Sequence, residues 1–426
     1  MKKLLLLLII PFLSFGQGWE QTYYPTSSYG YSVQQTTDGG YIITGKINPL
    51  GPATQYVFLL KTNSQGEEEW LQDFLSVSSS TEDEGHEVQQ TTDGGYIITG
   101  TVAPFGNEQV CLIKTDENGN EQWSQIFGGN NYITGQSGMD RGLSGKQTTD
   151  GGYIITGYTN SYGNGLTDVW LIKTDENGNE EWSQTFGDSS PNHHSQGVSV
   201  QQTTDGGYII VGKEYFNQQE WDIYLLKTNA QGEEQWSQSF GCTESSCNES
   251  GVSVQQTTDG GYIVLGSAGG YYLIKTDWNG NEQWSSQVSD SFSGPQDLQQ
   301  TTDGGYIITG TNYVDGGYRM YLLKLDSEGE EEWSQTFGIS SYGHSVKQTA
   351  DGGYIICGHQ YSNGYNVYLI KTDSEGNVAS TNIIEIPTIN KTLITTVDIL
   401  GRETTNKGLQ LHIYDDGSLE KRYIIE

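Results

Sequence analysis

From residue 18 to about residue 377 the apolar residues fall in short runs separated by polar turns. The recurring runs are YIITG, YLIKT and WSQTF, with close variants of each. Alternation of polar and apolar positions, together with Tyr, Ile and Val content, predicts strands rather than helices. The separators TDGG and DENGNE carry Asp-Gly and Asn-Gly steps, which accept positive φ and close tight hairpins. A first strand such as SVQQT therefore turns through TDGG into YIITG. A third strand, YLIKT, turns through DENGNE into EQWSQTF.

This four-strand unit recurs. Its turn aspartates are Asp38, Asp93, Asp150, Asp205, Asp259, Asp303 and Asp351, spaced by 55, 57, 55, 54, 44 and 48 residues. Seven antiparallel four-stranded units at such a period predict an all-β, seven-bladed propeller. Trp70, Trp123, Trp182, Trp236, Trp284 and Trp333 share one place in six fourth strands, where their rings would wedge between blades. The seventh unit lacks its Trp after IKTDSEGN. The segment GWEQTYY, residues 18–24, has the missing W-x-Q-x-aromatic pattern, so the N-terminal strand is expected to complete the last blade and remove an open edge.

Strand order sorts the loops into two faces. The TTDGGY and DENGNE turns share one face and hardly vary. The other face carries dissimilar loops, including TNSYGNGLTD (159–168), the loop at 188–197 that ends in PNHHSQG, and EYFNQQEWD (214–222). Recognition is expected there. Its candidate ligand-binding residues are Tyr162, His193, His194, Phe216 and Trp221. Seven positions before each turn Asp stand Tyr31, His86, Leu143, Val198, Val252, Gln296 and His344, a ring at the channel mouth. Tyr31, His86 and His344 are its candidate ligand-binding residues; the set as a whole reads as strand-end residues partly filling a channel.

Composition narrows the setting. Residues 1–16 have two lysines, a short apolar run and small residues, the pattern of a signal peptide, with cleavage after Gly16 or Gln17. No later segment is apolar enough to span a bilayer. A net charge of −33 argues against nucleic acid and anionic lipid as partners. In an oxidising compartment Cys242 and Cys247 are expected to form a local disulfide, two free thiols being the alternative, while Cys111 and Cys357 read as buried hydrophobes.

Catalytic signatures are absent: there is no nucleophile elbow, Walker loop, His-Glu-x-x-His or Cys-x-x-Cys. His193-His194 is the only histidine pair, and no further ligands can be named for a metal. DENGNE reads as a hairpin turn; calcium at one or two blades is the alternative, and no other cofactor is expected. Asp116, Gly119 and Trp123 follow D-x-x-G-x-x-x-W, which resembles the blade motifs of quinoprotein and sialidase propellers without matching either spacing. The arginine triad of sialidases has no counterpart, since only Arg141 and Arg319 precede the tail.

After a linker at 378–390, residues 391–426 depart from the repeat. Val397-Asp398-Ile399-Leu400-Gly401-Arg402-Glu403, then Tyr414-Asp415-Asp416-Gly417-Ser418 and Glu420-Lys421, resemble the C-terminal sorting domain of type IX secretion. That resemblance implies a sorting signal carried by Asp398, Gly401, Arg402, Tyr414, Asp416, Gly417 and Lys421. It also implies the secretion machinery as a partner and a secreted or cell-surface location. The repeats of residues 17–377 likewise resemble the DGGYIITG-type propellers of secreted and surface proteins. The expected function is adhesion to a glycan or protein through the variable-loop face. The rivals are a carbohydrate-active enzyme using carboxylates near the channel mouth, and a structural surface component.

Overall fold

The computed structural model describes residues 18–24, 27–48, 55–74, 83–129, 138–164, 166–188, 190, 193–216, 220–241, 248–289, 294–378, 393–397, 402–403, 408–414 and 419–424. The chain divides into two units, residues 1–378 and 379–426.

The first unit is a seven-bladed β-propeller. Each blade is a four-stranded antiparallel sheet in sequence order, except the last. There the strand Trp19–Tyr23 pairs antiparallel with Tyr365–Thr372 and takes the outer position, so the two ends of the repeat region share one sheet. The expected closure is observed. The second unit is a three-stranded antiparallel sheet of Leu393–Val397, Gly408–Tyr414 and Leu419–Ile424.

The repeated residues are blade-building parts. In blade 1 the Asp38 carboxylate accepts from the Thr36 hydroxyl and, at 2.9 Å, from the Gly40 amide. Its other oxygen lies 2.9 Å from the buried Lys61 ammonium, which comes from YVFLLKT in the third strand. The second glycine of DGG makes this possible, since a Cβ on Gly40 would stand 2.6 Å from Lys61 Nζ and 2.2 Å from the Thr62 carbonyl. The same Asp–Lys pair occurs in all seven blades. A lysine in an apolar-looking strand is therefore the internal partner of the turn aspartate, which keeps its buried charge compensated.

Blades are joined by polar and aromatic contacts. The Gln that ends each first strand accepts from the amide just before the turn Asp of the preceding blade. Gln90 does so from Thr37 at 2.9 Å, and the ring closes where Gln35 accepts from Ala350 at 2.8 Å. Each Trp packs on the DGGY tyrosine of the next blade, as in Trp70 on Tyr96 at 5.9 Å and Trp19 on Tyr41 at 5.7 Å between ring centroids. The Trp ring also covers a turn glycine of that next blade. Gly119 has φ +79°, and a Cβ there would meet Trp70 at 2.6 Å. Gly119 and Trp123 of the D-x-x-G-x-x-x-W pattern thus serve opposite blade interfaces.

This predicts a contrast between two positive-φ glycines. Gly119→Ala must displace Trp70 as well as strain the backbone, and is expected to cost about 3 kcal/mol. Gly94→Ala, at φ +89° with nothing within 4 Å of the added Cβ, is expected to cost about 1 kcal/mol. Urea denaturation of the two variants measures the difference; equal losses would mean that the Trp wedge adds nothing to stability.

Candidate functional site

The channel is shaped by one backbone device repeated seven times. In every blade the pairing of first and second strands shifts register by one residue, and the extra residue is the one seven before the turn Asp. Such a bulge re-aims its side chain. Tyr31, His86, Leu143, Val198, Val252, Gln296 and His344 all line a central cavity of about 500 Å³. Blades 3, 4 and 5 give it an apolar wall of Leu143, Val198 and Val252. Blades 7, 1 and 2 give His344, Tyr31 and His86.

The sequence candidates Tyr31, His86 and His344 are therefore brought together. The Tyr31 ring stacks on His86 at 6.0 Å and meets His344 edge-on at 5.2 Å. His344 Nε2 is 3.0 Å from His359 Nδ1. Burial holds all three imidazoles in the neutral form, with His86 and His344 pulled down to about 4 and His359 to about 3. Burial also pushes the Tyr31 hydroxyl well above the usual phenol range. Lys46 lies over the rings of Tyr29 and Tyr31 at 5.1 and 5.7 Å and pairs with Glu84 from blade 2.

From this cluster an aromatic track runs outward across blades 7 and 6. His359 contacts Tyr29 and Tyr342, both at 4.7 Å; Tyr342 contacts Tyr318 at 5.4 Å, and Tyr318 contacts Tyr313 at 5.2 Å. Tyr365 joins Tyr29 at 4.9 Å to Tyr361 at 5.2 Å. The outer rings are open to solvent, with Tyr313 50%, Tyr318 46% and Tyr361 55% exposed. They stand on hairpins held by positive-φ turns at Asp315-Gly316 and Asn363-Gly364. The hairpins present the rings on paired antiparallel strands, Tyr313 opposite Tyr318 and Tyr361 opposite Tyr365.

Sequence reasoning missed this track. The available signal was the pair of near-identical segments SYGYSV (28–33) and SYGHSV (341–346), together with Tyr flanking the turns in YVDGGY (313–318) and YSNGY (361–365). Neither is visible as a site until the ring places blade 7 beside blade 1.

A second cluster gathers other sequence candidates on blade 4. His194 contacts Trp221 at 6.0 Å and Tyr215 at 6.3 Å, and Tyr215 contacts Trp221 at 5.5 Å. Lys213 Nζ sits 4.5 Å from the Trp221 ring centroid. His193 is buried, accepting from the Asp188 amide through Nδ1 at 3.1 Å with Nε2 3.7 Å from Glu214. Tyr162 stands apart on blade 3, against Trp170 at 5.2 Å. Phe216 ends the strand Tyr208–Phe216, and its side chain lies outside the described residues.

Cys242 and Cys247 also lie outside the described residues, as do Asp398, Gly401, Asp416 and Gly417 of the tail. Arg402 is exposed, Tyr414 ends the middle strand of the tail sheet, and Lys421 pairs with Leu411 in its last strand. In the DENGNE-type turns the leading side chain accepts two backbone amides, as Asp116 does from Asn118 at 2.9 Å and Asn120 at 2.8 Å. Among the described residues no three His, Cys, Asp or Glu side chains converge on a metal site.

A β-propeller whose variable face carries an aromatic track into its channel is the class that fold and site define. No family model and no curated protein matches the chain. The chain is similar to several solved structures at low identity. A Bacteroides caccae protein of unknown function is 13% identical with a TM-score of 0.44, over 74% of this chain and 96% of that one. A Dyadobacter fermentans protein of unknown function is 9% identical with a TM-score of 0.47, over 84% and 98%. The periplasmic gluconolactonase of Pseudomonas aeruginosa is 10% identical with a TM-score of 0.49, over 73% and 86%.

Proposed function

We propose that this protein is an exported propeller that binds a glycan at the cell surface through its variable-loop face, with the tyrosine track of blades 6, 7 and 1 as the contact surface. The observation that carries the reading is the set of half-exposed rings of Tyr313, Tyr318 and Tyr361, continuous with the channel cluster. Flat aromatic faces stack against the apolar C–H faces of sugars, and tyrosines add hydroxyls for hydrogen bonding. The acids along the channel favour binding over carboxylate catalysis. Glu84 holds Lys46, Glu87 holds Lys146 and Asp297 holds Lys347. A glycan array run beside a glycoside-hydrolase screen tests the reading: it expects retention of a defined glycan class without turnover, and turnover would replace it with the enzymatic one.

The location belongs to the same proposal. The signal-like residues 1–16 and the tail motifs support export by type IX secretion. Removing residues 391–426 is expected to keep the propeller inside the cell envelope; unchanged appearance outside, in a fractionation, would refute the sorting role.

A further inference from the structure

The propeller holds eleven lysines, all among the described residues, and ten of them lie within ion-pair distance of a carboxylate. Lys213 is the exception. Its ammonium sits over Trp221, and burial alone draws its pKa down. A partly desolvated cation with no counter-ion among the described residues is unusual in a chain with 53 acidic residues.

The repeat supplies an internal comparison. Lys46 occupies the same place in blade 1, five residues after the DGGY tyrosine (Tyr41 there, Tyr208 in blade 4). It too lies over aromatic rings, and Glu84 of blade 2 neutralises it. Glu84 stands nine residues before its turn aspartate, Asp93. In blade 5 the position nine before Asp259 is Ser250, whose hydroxyl turns to the Gly251 carbonyl at 3.5 Å. The adjacent acids of blade 4, Glu214 and Asp222, pair opposite each other one step along the strands from Lys213, and alternation puts them on the other face of the sheet. Blade 4 therefore has the cation and the aromatic bed of blade 1 without the carboxylate.

We propose that Lys213, with Trp221 and Tyr215 beside it, binds the carboxylate of an acidic sugar, a uronic-acid residue within a glycan. The ammonium takes from the ligand the charge partner that Glu84 gives Lys46. The aromatic surface takes the apolar face of the same sugar ring, as cation and ring recognition commonly combine. The site is separate from the tyrosine track and stands without it.

The test is calorimetric titration of the full chain with tetragalacturonate, its fully methyl-esterified form and a tetraglutamate peptide. The acid oligomer is expected to bind at least tenfold tighter than the ester or the peptide. Lys213→Gln should abolish that preference. Ser250→Glu should do the same by rebuilding the blade 1 pair, with an unchanged or raised melting temperature that confirms folding. Tyr318→Ala/Tyr361→Ala, which disables the track, should leave the preference intact. Equal binding of acid and ester, peptide binding as tight as the sugar, or an unaltered preference in Ser250→Glu would each overturn the site.

Discussion

Deleting residues 17–25 is expected to lower the thermal midpoint by roughly 10 °C. No covalent bond closes the ring; this strand leads into blade 1 and closes it by pairing with blade 7. It contributes five antiparallel pairings to Tyr365–Thr372. Trp19 packs on Tyr41 and over Gly66 of blade 1 and donates to the Ser64 carbonyl at 3.2 Å; the buried Tyr23 hydroxyl donates to the Gly66 carbonyl. Loss of two such aromatics at about 3 kcal/mol each, with a few net backbone hydrogen bonds at about 1 kcal/mol each, gives roughly 8–10 kcal/mol. A propeller of this size unfolds with an entropy of about 0.75 kcal/mol per degree, from which the shift follows. Calorimetry on the truncated chain measures it. A midpoint within a degree of the intact protein would mean that the ring does not depend on this strand.

Acidification is expected to destabilise the protein in two stages. His86, His344 and His359 are neutral in the fold because burial disfavours their charged forms, and they protonate only near 4, 4 and 3 instead of 6.5. Between about pH 6.5 and 4 the unfolded chain therefore holds more protons, and stability falls as pH falls. Three coupled groups contribute on the order of 5 kcal/mol over that range. The turn aspartates act lower. Burial pulls against it, but bonds from Lys61, Thr36 and Gly40 hold Asp38 down to about 2, and Asp259 is held down to about 2 by its equivalent partners. Their stabilisation is full above the unfolded value of 3.8 and is lost as pH falls towards 2. These carboxylates are more than half exposed, so screening limits each to about 0.5 kcal/mol. Thermal melts from pH 7 to 2 should show both stages in the wild type. A His86→Gln/His344→Gln/His359→Gln variant should lose the first stage and keep the second; an identical profile would sink the assignment.

The fold was largely legible because it is written seven times. Strand alternation, Asp-Gly turns and the fixed Trp position each reflect a backbone or packing need that recurs in every blade. The misplaced Trp of GWEQTYY revealed the closure because its pattern has no other use at that point. What stayed hidden depends on contacts between copies. Lys61 and its equivalents sit in apolar strands with nothing local to show that they reach the turn aspartate. The register shift that turns Tyr31, His86 and His344 into the channel leaves no composition signal. The site was legible only as far as repeat phase carries it: those three residues share a phase, whereas Tyr29, Tyr318, Tyr342 and Tyr365 come from three blades and meet only once the ring is closed. Tyr162 and Trp221 are on the variable face but belong to blades 3 and 4, away from that track.

Under the proposed reading the repeats are scaffold, and the tyrosine track of the variable face does the binding. The decisive quantity is the affinity of the wild type and of Tyr318→Ala/Tyr361→Ala for the glycan class an array identifies. Two lost stacking contacts at about 1 kcal/mol each predict a weakening of about 30-fold with an unchanged melting temperature. Unaltered affinity in that variant would contradict the reading.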